Sequence, residues 1–245
     1  MKRLKNRITN QITEMFAPTF RCLNCGKDVF DGTGFCSDCA KDVVYNNGKT
    51  CKRCGVGIDG AEDYCDNCSL DKMYFDCAYS VFSYEGAVQK AILSMKFHHL
   101  ASNAKVLAKY LVFMAKKVNL KYDIVTFIPM SKKAFRKRRY NQAQLLAKHF
   151  CNLLDKDNLL TETIVKIKET KAQEQLNKTE RKINLLGAYK INADVKGKRV
   201  LVIDDVKTTG ATLNECAKVL KNAGATAVYG LTVASRKEHF LYEAD

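Results

Sequence analysis

No stretch of this chain stays apolar long enough to span a membrane. The opening MKRLKNRITNQITEMF starts basic but has no continuous apolar run and no small-residue cleavage site, so it does not read as a secretory leader. Its Leu4, Ile8, Ile12 and Phe16 recur at four-residue spacing and predict an amphipathic helix over 1–19, docked on its own domain or on a membrane surface. A cytoplasmic location is the expectation. Thiols stay reduced there, so the eleven cysteines call for an explanation other than disulfides. Acidic residues are also in short supply, 26 against 41 lysines and arginines, for a net charge of +15. That balance favours polyanionic partners such as nucleic acid, nucleotide phosphates or anionic lipid, although lysines spread along helices also serve plain solubility.

What is there divides by composition. Residues 20–70 are rich in cysteine, glycine and aspartate and poor in apolar periodicity, whereas 71–245 alternate strand and helix patterns. Strands are predicted at CAYSVFSY (77–84), DIVTFIP (123–129), KRVLVID (198–204) and ATAVYGLTVAS (225–235). Helices are predicted at 87–97, 103–117, 141–154 and 212–223. The polar stretch 166–187 suits a mobile loop or a surface helix. With 47% apolar residues, this order implies an α/β fold with an open, mostly parallel sheet and helices on both faces, preceded by a small zinc-binding module.

Eight cysteines form four CxxC pairs: Cys22/Cys25, Cys36/Cys39, Cys51/Cys54 and Cys65/Cys68. Each pair can grip one tetrahedral zinc from a tight turn, and two pairs close the shell. A segment with so little core needs the folding energy that metal binding supplies. Sequential pairing closes shorter loops and is favoured over a cross-brace. Either way four thiolates leave no open position, so both zinc sites are expected to be structural. Cys77, Cys151 and Cys216 lie in apolar patterns and read as buried small hydrophobes.

The second chemical feature is Val200 to Thr212, VLVIDDVKTTGAT. Four apolar residues make a buried strand, and Asp204 and Asp205 close it at the end where open α/β sheets bind ligands. Two carboxylates there can hold ribose hydroxyls or Mg2+. Thr208, Thr209, Gly210, Ala211 and Thr212 then run into a helix. The glycine permits a tight turn, while the hydroxyls and the helix-start amides converge where a phosphate monoester would sit. The loop lacks the GK[ST] of a Walker motif and is no dinucleotide fingerprint. It resembles the fingerprint of type I phosphoribosyltransferases, which makes phosphoribosyl pyrophosphate the first ligand to consider. An acidic strand end with ordinary threonine capping does not account for the order of all these residues.

The basic run Lys132, Lys133, Arg136, Lys137, Arg138 and Arg139, followed by Tyr140 and Asn141, suits neutralisation of phosphates. It also suits a track for single-stranded nucleic acid, with cations on the backbone and an aromatic stacking on a base. The pair His98–His99 after Phe97 is assigned no role.

Five segments in order resemble the ComF family of bacterial competence proteins: the cysteine module, YEGAVQKAILSMKFH (84–98), IPMSKKAFRKRRYNQAQLLA (128–147), QEQLNKTERKINLLGAY (173–189) and the fingerprint. The resemblance implies a type I phosphoribosyltransferase-like domain behind a double zinc-ribbon-like module. It also implies handling of incoming single-stranded DNA in natural transformation, with a helicase-like partner. Under it, Asp204 and Asp205 address the ribose and Thr208–Thr212 hold the 5′-phosphate. Pro129, Met130, Ser131 and Lys132 stand at the pyrophosphate loop, with Ser131 where many relatives have a second proline. Arg181 and Asn184 fall in a closing loop. Two readings follow: a binder of phosphoribosyl pyrophosphate with Mg2+ that serves DNA uptake, or an active phosphoribosyltransferase of nucleotide metabolism or salvage. No residue stands out as a catalytic base.

Overall fold

A computed structural model describes residues 20–58, 61–97, 100–170 and 178–236. The helix expected over 1–19 and the pair 98–99 lie outside the described residues. The cysteine-rich segment contains strands β1 (Phe20–Arg21) and β2 (Asp28–Val29) and helical turns α1 (Ser37–Ala40) and α2 (Asp66–Leu70). After it come β3 (Cys77–Ser83), α3 (Gly86–Phe97), α4 (Asn103–Lys117), β4 (Ile124–Phe127), α5 (Lys132–Arg138) and α6 (Gln142–Leu153). The chain continues through β5 (Ile164–Lys166), α7 (Lys178–Leu185), β6 (Tyr189–Ile191), β7 (Arg199–Lys207), α8 (Ala211–Asn222) and β8 (Ala227–Ser235).

The main sheet has four parallel strands in the order β3-β8-β7-β4. Strand β7 is interior, and Ile203 on it lies between Phe127 of β4 and Leu231 of β8. Helices α4 and α6 pack on each other and on the sheet, while α8 packs on β8 with α7 and β6 beside it. Covered on both faces, β7 has a continuous apolar run, and Val200 to Ile203 are buried. Two clamps fix the amino ends of the strands. Arg199 at the base of β7 donates to Asp123 ahead of β4 at 2.7 and 3.0 Å. Asp76 ahead of β3 accepts the Val228 N–H at 2.7 Å and pairs with Lys221 at 2.8 Å. The carboxyl ends are left for ligands.

Strand β7 outruns its predicted end at 204. Pairing with β8 continues through Asp204↔Thr232 and Lys207↔Ser235, so the acidic pair lies within the strand. Cys151 and Cys216 are buried as expected. Cys77 is only half-buried, because its strand is at the sheet edge, where its thiol donates to the Tyr79 hydroxyl at 3.4 Å.

That edge is covered by the cysteine-rich segment. The Ser83 N–H donates to the Val44 carbonyl at 2.9 Å, the Asn46 N–H to Val81 at 2.9 Å, and the Ala78 N–H to Arg53 at 2.7 Å. Unpaired edge strands invite pairing with other chains, and this contact removes the opportunity. Gly55 has φ +67, and a Cβ there would collide with the Ala78 carbonyl oxygen. Glycine thus serves both the knuckle turn and the close approach to β3. One hydrophobic core runs from Leu23, Phe35 and Val56 into Phe82 and Leu231.

Candidate functional site

The residues that follow β3, β4, β7 and β8 at their carboxyl ends enclose a cavity of about 840 Å3. The loop after β7 forms one wall. Gly210, at φ +76, is the N-cap of α8, and the left-handed conformation there suits glycine. The first amides of a helix have no intrahelical acceptors, so this end of α8 favours an anion. Lys207, Thr208, Gly210, Ala211 and Thr212 line the cavity. Thr209 is not among the lining residues. Its hydroxyl accepts the Ala211 N–H at 3.4 Å, and it faces a smaller cavity of about 200 Å3 beyond the loop.

The two acids differ in surroundings. Asp204 lines the cavity, and its carboxylate accepts the Asp205 N–H at 2.8 Å. Burial, and then the neighbouring Asp205 charge, push its carboxyl well above the ordinary value of 3.8. Asp205 is buried and pairs with Lys96 of α3 at 2.9 Å. Burial pulls the Lys96 ammonium down, but the Asp205 carboxylate outweighs it and the net direction is up. Truncating one partner of such a buried pair typically costs about 3–5 kcal/mol, because the other charge stays behind unpaired. Lys96 was not distinguished by the sequence. It stands in the family-like segment 84–98, and only the packing of α3 brings it to the acids.

The opposite wall comes from the loop after β4. Pro129, Met130 and Ser131 line the cavity. The Ser131 hydroxyl N-caps α5 by accepting the Ala134 N–H at 3.2 Å. Asn141 donates to the Ile128 carbonyl at 2.9 Å and N-caps α6, which fixes the loop at both ends. The basic run divides around the short helix α5. Lys133, Lys137 and Arg138 face the large cavity, whereas Lys132 and Arg136 face a neighbouring cavity of about 400 Å3. Arg139, at φ 68, is the C-cap of α5. Tyr140 is half-buried against the core, and its hydroxyl donates to the Met95 carbonyl. The exposed aromatic at the rim is Phe97, with the Arg138 guanidinium 5.2 Å from its ring centre.

Lys166 and Arg236 also line the cavity, beside Tyr189 and Tyr84. Burial lowers the Lys166 ammonium. Asn184 is half-exposed on α7, and the Arg181 side chain lies outside the described residues.

The eight module cysteines gather into two quartets, Cys22/Cys25/Cys36/Cys39 and Cys51/Cys54/Cys65/Cys68, with all sulfurs of a quartet within 4.8 Å of one another. This is the sequential arrangement. A tetrahedral zinc with Zn–S near 2.3 Å sets sulfurs about 3.8 Å apart. The Cys25–Cys36 and Cys54–Cys65 separations are 3.7 and 3.6 Å, which fit zinc and are far too long for a disulfide. The Cys54 thiol is held well below its ordinary range by hydrogen bonds with Cys65 and Cys68, and the Lys207 charge acts in the same direction. The second quartet lies close behind the loop that follows β7, since Cys54, Cys65 and Cys68 share a small gap with Lys207, Thr208 and Thr209.

Residues 12–69 match the double zinc ribbon domain, and residues 113–239 match the phosphoribosyl transferase domain. The curated relatives that the chain resembles are named for competence or DNA utilization. The chain belongs to the ComF/YhgH family. Within the family it is 30% identical over 154 residues to the DNA utilization protein YhgH of Salmonella typhimurium, covering 61% of this chain and 67% of that one. It is 37% identical over 103 residues to competence protein F of Haemophilus influenzae, covering 40% and 44%. With competence protein ComFC of Streptococcus pneumoniae it shares 30% identity over 153 residues, covering 61% and 64%. Among the described residues no helix is long and apolar enough to cross a membrane.

The raised Asp204 carboxyl has a consequence for stability. The unfolded chain releases this proton near 3.8, while the folded chain holds it to higher pH. Stability from this group is therefore full below 3.8 and is lost as pH rises through the folded value. We predict that Asp204→Asn is more stable than wild type at about pH 8, and that the gain shrinks toward about pH 5.5. Urea midpoints of the two proteins across that range measure it.

Proposed function

We propose that this chain binds phosphoribosyl pyrophosphate, or a related ribose 5-phosphate ligand, with Mg2+. We further propose that it holds single-stranded DNA on its basic surface and serves DNA uptake in the cytoplasm beside a helicase-like partner. One observation carries the reading. A single cavity has Thr208, Gly210, Ala211, Thr212 and Asp204 on one wall, and Pro129–Ser131 with Lys133, Lys137 and Arg138 on the other. The first wall suits a ribose 5-phosphate and the second a diphosphate. The α8 amides and the Thr208 and Thr212 hydroxyls would take the 5′-phosphate. Asp204 would meet the ribose hydroxyls or a Mg2+ carried on the diphosphate oxygens. The names of the relatives supply the DNA context.

Turnover is the second reading. At about 840 Å3 the cavity lies in the upper part of the usual range for small-molecule sites, roughly 300–1,000 Å3, and leaves room for an acceptor beside the ribose. Catalysis would then rest on positioning and on stabilising an oxocarbenium-like state by the phosphate loops.

Calorimetric titration with phosphoribosyl pyrophosphate and Mg2+ tests the ligand. Wild type gives saturable heat, and the double variant Asp204→Asn/Asp205→Asn gives none. Silence in wild type sinks the reading, and pyrophosphate release with a panel of bases moves it to the enzyme. For DNA, affinity for a single strand falls with salt on a log–log line. Alanine at Arg136, Arg138 and Arg139 flattens the slope by about two, from roughly 0.7 per lost phosphate contact. An affinity indifferent to both makes the basic run a solvated face.

A further inference from the structure

Lys207 is the last residue of β7 and is 4% exposed. Its backbone is fixed by Ser235 opposite and by the Arg236 N–H, which donates to its carbonyl at 3.1 Å. Its side chain lines two spaces. One is the large cavity. The other is a gap of about 10 Å3 between Cys54, Cys65 and Cys68 on one side and Lys207, Thr208 and Thr209 on the other. A water needs about 10–15 Å3, so one molecule at most separates the second quartet from the loop. A buried ammonium needs a nearby negative charge. Among the ion pairs between described residues, none joins Lys207 to a carboxylate. The gap instead sets Lys207 opposite three sulfurs of the quartet, those of Cys54, Cys65 and Cys68.

Four thiolates around Zn2+ carry a net charge of about −2. The quartet fits that ion, and its excess negative charge would face Lys207 across the gap. No cysteine of the first quartet lines the cavity or the gap.

We propose that the second cysteine quartet is the back wall of the phosphate loop. The metal-loaded thiolates and the bound phosphate share Lys207 as their common counter-ion: each favours the ammonium charged and in place for the other, and this ordering outweighs the repulsion between the two anions, so zinc at this quartet and ligand in the cavity strengthen each other. The phosphate half of this statement rests on the ligand reading above, while the Lys207–quartet half stands without it. Coupling between two sites is reciprocal, so it can be read from the zinc side. It also gives the double module a division of labour: the first quartet folds its own knuckles, and the second also stiffens a ligand-binding loop.

The test uses the full zinc-loaded chain. Chelator is added, and the cysteines freed over time are pulse-alkylated and identified by mass spectrometry. Cys51, Cys54, Cys65 and Cys68 are followed separately from Cys22, Cys25, Cys36 and Cys39. Without any ligand, Lys207→Met exposes the second quartet about fivefold faster or more, a typical lower size for site coupling, and leaves the first quartet at its wild-type rate. Equal rates in wild type and variant overturn the proposal, as does equal acceleration of both quartets, which marks a general loss of fold. With saturating ribose 5-phosphate, wild type protects the second quartet alone and Lys207→Met loses that protection. Protection that persists in the variant overturns the shared counter-ion. Calorimetry with the same ligand separates the failures: absent heat contradicts the phosphate reading, while the ligand-free rates judge the quartet coupling by themselves.

Discussion

The end of strand β7 concentrates charge where the fold can least tolerate it. Val200 to Ile203 pin the strand in the interior, and Asp204, Asp205 and Lys207 follow at once in the same extended segment. Each must be balanced by a group brought from elsewhere. Lys96 of α3 answers Asp205 at 2.9 Å, and the second cysteine quartet faces Lys207 across a small gap. Among the described residues no ion pair joins Asp204 to a cation, and burial and the Asp205 charge push its carboxyl up. It is the acid that remains turned to the cavity, so the least compensated charge is also the one free to meet a ligand.

The zinc module follows from the same constraint. A segment of this composition cannot bury enough apolar surface to fold alone, and two metal quartets replace the missing core. Docking on β3 then closes the exposed edge of the sheet and joins both parts in one core. The module is therefore more than an appendage. It supplies the strand-like pairing at Val44–Asn46 and brings sulfur to the rear of the loop that follows β7. In the proposed reading, the metal sites and the ligand site belong to one electrostatic unit.

The features most legible in the sequence were those written in consecutive residues. CxxC spacing named all eight quartet cysteines, and the short-loop argument gave the sequential grouping. VLVIDDVKTTGAT announced a buried strand, an acidic end and a glycine turn, and all three are present. The parallel sheet could be read because strands and helices alternate. What escaped depends on closure between distant elements. Lys96, Lys166 and Arg236 reach the cavity from α3, β5 and the end of β8, and nothing local marks them. The basic run looked like one track, yet helical geometry sends its cations to two sides of α5. The bond from the Tyr140 hydroxyl to Met95, 45 residues away, was equally invisible in the sequence.

The central claim is that the loop after β7 and the loop after β4 close on one phosphorylated ribose. Amide hydrogen exchange across the full zinc-loaded chain, with and without phosphoribosyl pyrophosphate and Mg2+, tests it most directly. The account predicts slower exchange at 206–212 and 130–131 on binding, with the strand bases around Asp123 and Arg199 unchanged. Ligand bound without protection at 206–212 would contradict it.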